Sequence, residues 1–243
     1  MTAWVTTSPC AGAAFPAAGW TFLDCEQVYN IGGESNWTPF VQRLKDCGAE
    51  MVYFSGSPAP NFQNVLDAAK QIGYAPKWYS DSNFYDTSFA NWNTAGLADN
   101  VYVRMAFYPF EQASEHPATQ KYLDLLKAAN GKTGLLGAQA TSSFLLWAMG
   151  AKECGSTLTS DCVLGKLKAV NKWDAGGLQA TTNPGANLPP DCGMLVKLES
   201  TKYVQVAPAK IGQMECSDKF IGTVAGPVVA AAKLDANRIS QAG

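Results

Sequence analysis

The sequence predicts an α/β fold organised around a parallel sheet. Three observations carry this. Short, largely apolar segments alternate with stretches of helical periodicity, the loops between them are short, and the order strand–helix–strand–helix–strand runs through residues 20–80. Parallel neighbours need a crossover of a dozen or more residues, usually a helix, so this alternation reads as a βαβαβ unit.

Each element follows from local chemistry. Residues 20–29 (WTFLDCEQVY) are rich in aromatic and β-branched side chains and read as a strand, and Gly32 and Gly33 supply the turn at 30–35. Ser35 or Asn36 then caps a helix that tolerates Pro39 in its first turn. Phe40, Val41, Leu44 and Cys47 fall on one helical face, and Gly48 ends it. Residues 51–54 form a short apolar strand. After a loop at 55–60, Phe62, Val65, Leu66, Ala69 and Ile72 line the inner face of a second helix that stops at Gly73. Residues 76–80 make a third strand, and residues 100–105 a further one beyond an irregular stretch at 91–99.

The second half has a different pattern. Residues 117–129 read as an amphipathic helix, 135–151 as a buried core helix and 158–170 as another helix. The segment 135–151 is shorter than the roughly 20 apolar residues of a membrane helix, and it carries Gln139, Thr141, Ser142 and Ser143. A stretch with Gly176, Gly177, Pro184, Gly185, Pro189 and Pro190 comes next, then a hairpin pairing 194–198 with 203–206 across a turn at 199–202. Residues 228–243 have helical composition with few anchors.

Composition narrows the function. Hydrophobic residues make up 47% and charged residues 16% of the chain, and the formal net charge of -2 offers no basic face for nucleic acid. Seven cysteines with no C-x-x-C and a single histidine fit disulfides of an oxidising compartment better than a metal site. The expected pairs are Cys154–Cys162, which closes a short loop between two helices, Cys25–Cys47, which staples a strand to the next helix, and Cys192–Cys216, which ties the hairpin to the segment beyond it. Cys10 is left over. Residues 1–18 have neither a positive n-region nor a continuous apolar run, so they do not read as a secretory signal, although the cysteines argue for export. A missing front end reconciles the two.

No catalytic constellation emerges. The sole histidine, His116, precedes Pro117 at a helix start, where a solvated capping role is expected. There is no G-x-S-x-G, P-loop, G-x-G-x-x-G or H-E-x-x-H, and no cofactor or metal is expected. Asn36-Trp37-Thr38 matches an N-glycosylation pattern but coincides with the helix cap. In a parallel α/β sheet, ligands bind beyond the carboxyl ends of the strands. Those ends are the loops 29–35, 55–60 and 80–86, which offer Ser55, Ser57, Ser80, Asp81, Ser82, Tyr85 and Asp86 to a polar solute.

The run NIGGESNWTPFVQRLKDCGAEMVYFSGSPAPNFQNVLDAAKQIG, residues 30–73, resembles the second lobe of type I periplasmic solute-binding proteins of ABC importers, in the leucine/isoleucine/valine-binding group of actinobacterial type. The shared pattern is G-E-x-x-W/F-x-P into a helix, then A-x-x-V-x-F-x-G and a second helix ending in Gly. The resemblance continues through PKWYSDSN and GAQATSSFLLWAMGA to CGMLVKLESTKYVQV, over residues 20–216. It implies a parallel doubly wound lobe, largely complete, plus part of a second α/β lobe. On that pattern residues 1–18 are a leader unlike the family, 19–110 the second-lobe core, 111–190 a returning piece of an incomplete first lobe, 191–216 the second-lobe hairpin and 217–243 a tail. The amino-terminal strands of the family are then absent, which leaves the 135–151 helix with one face open.

The resemblance implies a non-enzymatic function: non-covalent capture of an amino acid, amide or related organic acid between two lobes, and delivery to a membrane ABC permease from an extracytoplasmic, lipid-anchored position. The expected ligand-facing residues are Ser55, Ser57, Ala59, Asp81, Ser82 and Tyr85, with Leu136 and Gln139 from across the cleft. Branched-chain amino-acid binders hold the amino group with a carboxylate after the third strand of this lobe. Here the matching position is Ser82, beside Asp81, and Ser57-Pro58 replaces an aromatic of the earlier loop, which counts against leucine-like ligands. A sensory domain of the same fold is the alternative, and an α/β enzyme the weaker one.

Overall fold

Backbone pairing of short apolar segments builds the sheet on which everything else rests. The structure, a computed structural model, describes residues 3–5, 19–55 and 59–218. Its strands are β1 (Ala3–Val5), β2 (Thr21–Phe22), β3 (Met51–Phe54), β4 (Lys77–Ser80), β5 (Val101–Met105), β6 (Cys192–Glu199), β7 (Lys202–Ala207) and β8 (Glu215–Cys216). They form one sheet in the order β2-β1-β3-β4-β5-β6-β7, with β8 added to β6. The pairs from β2 to β5 are parallel, and β6 and β7 are antiparallel additions. The strand order reverses between β1 and β3, the position where open α/β sheets leave a crevice for ligands.

The helices are α1 (Thr38–Asp46), α2 (Ala59–Gln71), α3 (Thr87–Trp92), α4 (Pro117–Ala128), α5 (Leu135–Cys154) and α6 (Ser160–Leu167). Helices α1 and α2 lie where expected. Trp37 stands at the N-cap of α1 without a side-chain bond, and the amide of Asn36 does the capping by accepting from the Thr38 N–H at 3.0 Å. Val52, Phe54, Trp78, Val101 and Val103 are buried, and Phe62 of α2 is fully buried among aromatic rings. Its ring stacks on Phe54 at 4.3 Å and meets Phe84 edge-on at 4.9 Å, a dense core that favours one arrangement of helix on sheet.

Four sequence expectations need correction. The strand expected over 20–29 shrinks to Thr21–Phe22, because β2 has a neighbour on one side only and Val28 is exposed. Ala3–Val5, in a stretch without a strand signal, pairs with both β2 and β3; three residues are too few to show periodicity. Helix α3 fills residues 87–90, where no element was expected, and enters the stretch read as irregular from 91; Asp86 caps it by accepting from the Ser88 and Phe89 N–H groups at 2.8 and 3.1 Å. Finally, the helix read from its composition as a buried one is not, and it has the open face that the resemblance implies. Leu135, Ala138, Ser142 and Gly150 of α5 are buried, and the helix packs on α6 and on the turn at 82–84, but Leu136, Phe144, Leu145 and Trp147 are exposed. A Cβ at Gly150 would sit 3.2 and 3.3 Å from Leu167 and Val163, so glycine there lets α6 approach.

All three expected disulfides are formed: Cys25–Cys47, Cys154–Cys162 and Cys192–Cys216. Cys10 and the expected tail helix at 228–243 lie outside the described residues. The hairpin forms as β6 and β7, turning at Ser200–Thr201.

Candidate solute-binding rim and groove

The carboxyl ends of β3 and β4 carry the candidate residues. Ser55 succeeds β3, and its carbonyl accepts from the Tyr29 hydroxyl at 3.1 Å, which closes the loop 23–36 over the strand end. Ser57 lies outside the described residues, with Gly56 and Pro58. Ala59 opens α2 and is half-buried. Asp81 caps a 3-10 turn over Ser82–Phe84 by accepting from the Asn83 N–H at 2.9 Å. Burial raises the pKa of Tyr29 and Tyr53, and the Asp81 charge adds to the rise.

The structure brings two candidates together across distant sequence. The Gln139 side-chain amide, one turn into α5, donates to the Ser82 hydroxyl at 3.3 Å. The rim of the parallel sheet and the start of α5 therefore face each other here. Leu136 sits on the exposed side of α5. Tyr85 is a correction: it is buried rather than solute-facing. Its hydroxyl donates to Glu111 Oε2 and accepts from the Phe110 N–H, each at 2.5 Å, and burial with the Glu111 charge pushes its pKa far up. Asp86, on the same loop, is committed to capping α3.

From Gln139 a groove of about 440 Å³ runs between α5 and residues 173–189. Phe107, Leu146, Trp173 and Leu188 supply apolar walls, and Ser142, Ser143, Gln179, Thr182 and Asn187 supply polar groups. Part of this wall is preorganised: the Trp173 indole N–H donates to Ser142 Oγ at 2.9 Å, and Ser142 Oγ donates to Gln179 Oε1 at 2.5 Å. An apolar lining with a few fixed polar groups is the usual make-up of a small-molecule site. The sequence hid Trp173, Gln179 and Asn187 in a Gly- and Pro-rich stretch with no periodicity. The isolated bridges Phe107↔Gln179, Trp173↔Thr182 and Asn183↔Leu188 give it shape.

His116 is also corrected. It occupies the N-cap position of α4 but makes no side-chain cap bond, and its ring stacks on Tyr108 at 3.6 Å, with burial lowering its pKa. Among the described residues no group of three or more His, Cys, Asp or Glu side chains is placed to hold a metal, and no helix is long and apolar enough to cross a membrane.

A mixed α/β sheet, parallel from β2 to β5 and extended by antiparallel β6 and β7, has the type I periplasmic-binding-protein fold. The chain belongs to the periplasmic binding protein family, whose model matches residues 6–202 and so reaches into the stretch expected to be unlike it. Among solved structures it is similar to a branched-chain amino acid ABC transporter protein from Thermus thermophilus with bound valine, at 16% identity and TM-score 0.65, covering 90% of this chain and 61% of that one. It is also similar to an ABC transporter substrate-binding protein from Aeropyrum pernix, at 15% identity and TM-score 0.68, covering 89% and 60%. A third is the branched-chain amino acid substrate-binding protein LivJ from Streptococcus pneumoniae in complex with isoleucine, at 14% identity and TM-score 0.64, covering 89% and 59%. The chain thus spans about three-fifths of the length of these relatives. No curated protein sequence matches it.

Proposed function

We propose that the chain is the solute-capturing part of an ABC importer's extracytoplasmic binding protein. It binds a small polar solute, an amino acid, amide or related organic acid, without chemical change. The observation that carries this reading is the Ser82–Gln139 contact, which joins the sheet rim to the head of the groove on a periplasmic-binding fold. Asp81, Ser55 and the groove amides supply hydrogen-bonding groups, and Trp173 and Phe107 supply apolar area. Delivery to a membrane permease and an extracytoplasmic location belong to the same proposal, which the three disulfides support.

On this reading residues 19–110 and 191–216 are one lobe and residues 111–190 are part of the other. Leu136, Phe144 and Trp147 lie along one stripe of α5, and about two-fifths of the relatives' own length is not matched here. Both support a cleft whose second wall is completed by further polypeptide against α5. This chain alone then offers a partial site, with solute affinity on the order of 1 mM, equivalent to about 4 kcal/mol. The test is a saturation-transfer NMR screen of amino acids, amides and short organic acids, with recovery of each solute. Binding lost in Ser82→Ala/Gln139→Ala, with the solute recovered unchanged, supports the reading; conversion of a solute to product overturns it.

A further inference from the structure

We propose that Glu111 is a positioning residue for the solute rim, acting through Tyr85. Tyr85 sits where three segments meet. Its main-chain N–H donates to the Ser82 carbonyl at 3.1 Å, and its main-chain carbonyl accepts from the Leu135 N–H at 3.0 Å, one helical turn before Gln139. One residue therefore touches both sides of the rim, the Ser82 side and the Gln139 side. The adjoining Thr87 N–H donates to the Thr133 carbonyl at 3.3 Å, and Asp86 bridges Gly134, which extends the same seam. At Gly134 a Cβ would come within 2.7 Å of Asp86 Oδ2, so a side chain there would push against the carboxylate that caps α3.

What holds Tyr85 in place is its side chain. Glu111 lies on the segment that leaves β5 for α4, and it accepts from the Tyr85 hydroxyl through Oε2 and from the Tyr203 N–H of β7 through Oε1, at 2.5 and 3.1 Å. The Phe110 N–H donates to the Tyr85 hydroxyl, and the rings of Phe110 and Tyr203 pack on Tyr85 at 5.0 and 4.6 Å. The carboxylate thus ties the β5–α4 connection, β7 and the rim turn into one node. Hydrogen bonds to a charged group are among the stronger ones in proteins. With the Glu111 bond gone, Tyr85 keeps its packing but loses its fixed depth, and the spacing between Ser82 and Gln139 is no longer set.

The inference takes its meaning from the solute-site reading, but its test uses no solute, so the two fail separately. In a Cys10→Ser background, Ser82→Cys and Gln139→Cys are introduced, and the rate of bridging by dibromobimane, which fluoresces on joining two nearby thiols, reports rim spacing. Tyr85→Phe and Glu111→Gln are each expected to slow bridging about tenfold, equivalent to about 1.4 kcal/mol. Tyr203→Phe removes the bond from the Tyr203 hydroxyl to the Phe84 carbonyl in the same cluster. It leaves the Glu111–Tyr85 bond intact and is expected to lower the melting temperature without slowing bridging. Unchanged bridging in Tyr85→Phe and Glu111→Gln overturns the proposal. So does equal slowing in all three variants, which shows a general loosening of the cluster rather than positioning by Glu111.

Discussion

Replacing Phe62 and Phe144 separately by alanine compares a closed core with an open helix face. Phe62 is 0% exposed and Phe144 is 61% exposed. A buried Phe→Ala change costs about 3–5 kcal/mol through lost transfer energy and the cavity left behind. The rings of Phe54, Phe84, Trp78 and Phe89 around Phe62 can close that cavity only by giving up their own contacts. Against a net stability of about 5–15 kcal/mol this is a large fraction. Phe144 keeps about two-fifths of its burial, and full burial of such a side chain is worth about 1.5–3 kcal/mol, so its removal costs about 0.6–1.2 kcal/mol. In urea unfolding followed by circular dichroism, with m near 3 kcal/mol/M, the midpoint falls by about 1 M or more for Phe62→Ala and by about 0.2–0.4 M for Phe144→Ala. Equal shifts refute the reasoning, because they mean that the outward face of α5 is covered in the folded chain.

Two further outcomes rest on the chemistry of particular groups. Titration of denatured, unreduced protein from an oxidising compartment is expected to give about one free thiol per chain, since three pairs account for six of seven cysteines; three or more contradict the pairing. Burial pushes Tyr79 up to about 12, with Arg104 opposing, so between pH 10 and 12 the folded chain keeps a proton that the unfolded chain loses. Stability is therefore full below pH 10 and falls as pH rises toward 12. Urea midpoints at pH 9.5 and 11.5 are expected to differ less in Tyr79→Phe than in wild type, and an equal fall in both contradicts the assignment.

Much of the fold is legible in the sequence because local signals and burial agree. Phe62, Val65, Leu66 and Ala69 recur at helical spacing and are all buried in α2, and Val52 and Phe54 alternate in β3 with half-buried neighbours. The hairpin and the disulfides are legible for the same reason. The helix 135–151 misleads because its apolar residues run all round, which periodicity alone takes as full burial. β1 escapes a sequence reading because pairing on both sides, not composition, makes it a strand.

The rim is legible only in part. Asp81, Ser82 and Gln139 stand out as candidates, but the sequence shows nothing of the 57-residue separation across which Ser82 and Gln139 meet. Tyr85 looks like a rim aromatic because its loop is polar, and its inward turn depends on Glu111, 26 positions away. Trp173 and Gln179 lack any local signal, since their roles come from contacts with Ser142 on α5.

Saturation-transfer NMR on the whole chain, across amino acids, amides and short organic acids at about tenfold the expected Kd, tests the central claim most directly. The account predicts transfer to solutes of this class, competition among them, loss of transfer in Ser82→Ala/Gln139→Ala, and chemically unchanged solute afterwards. Transfer that persists undiminished in that variant, or a solute converted to product, contradicts it.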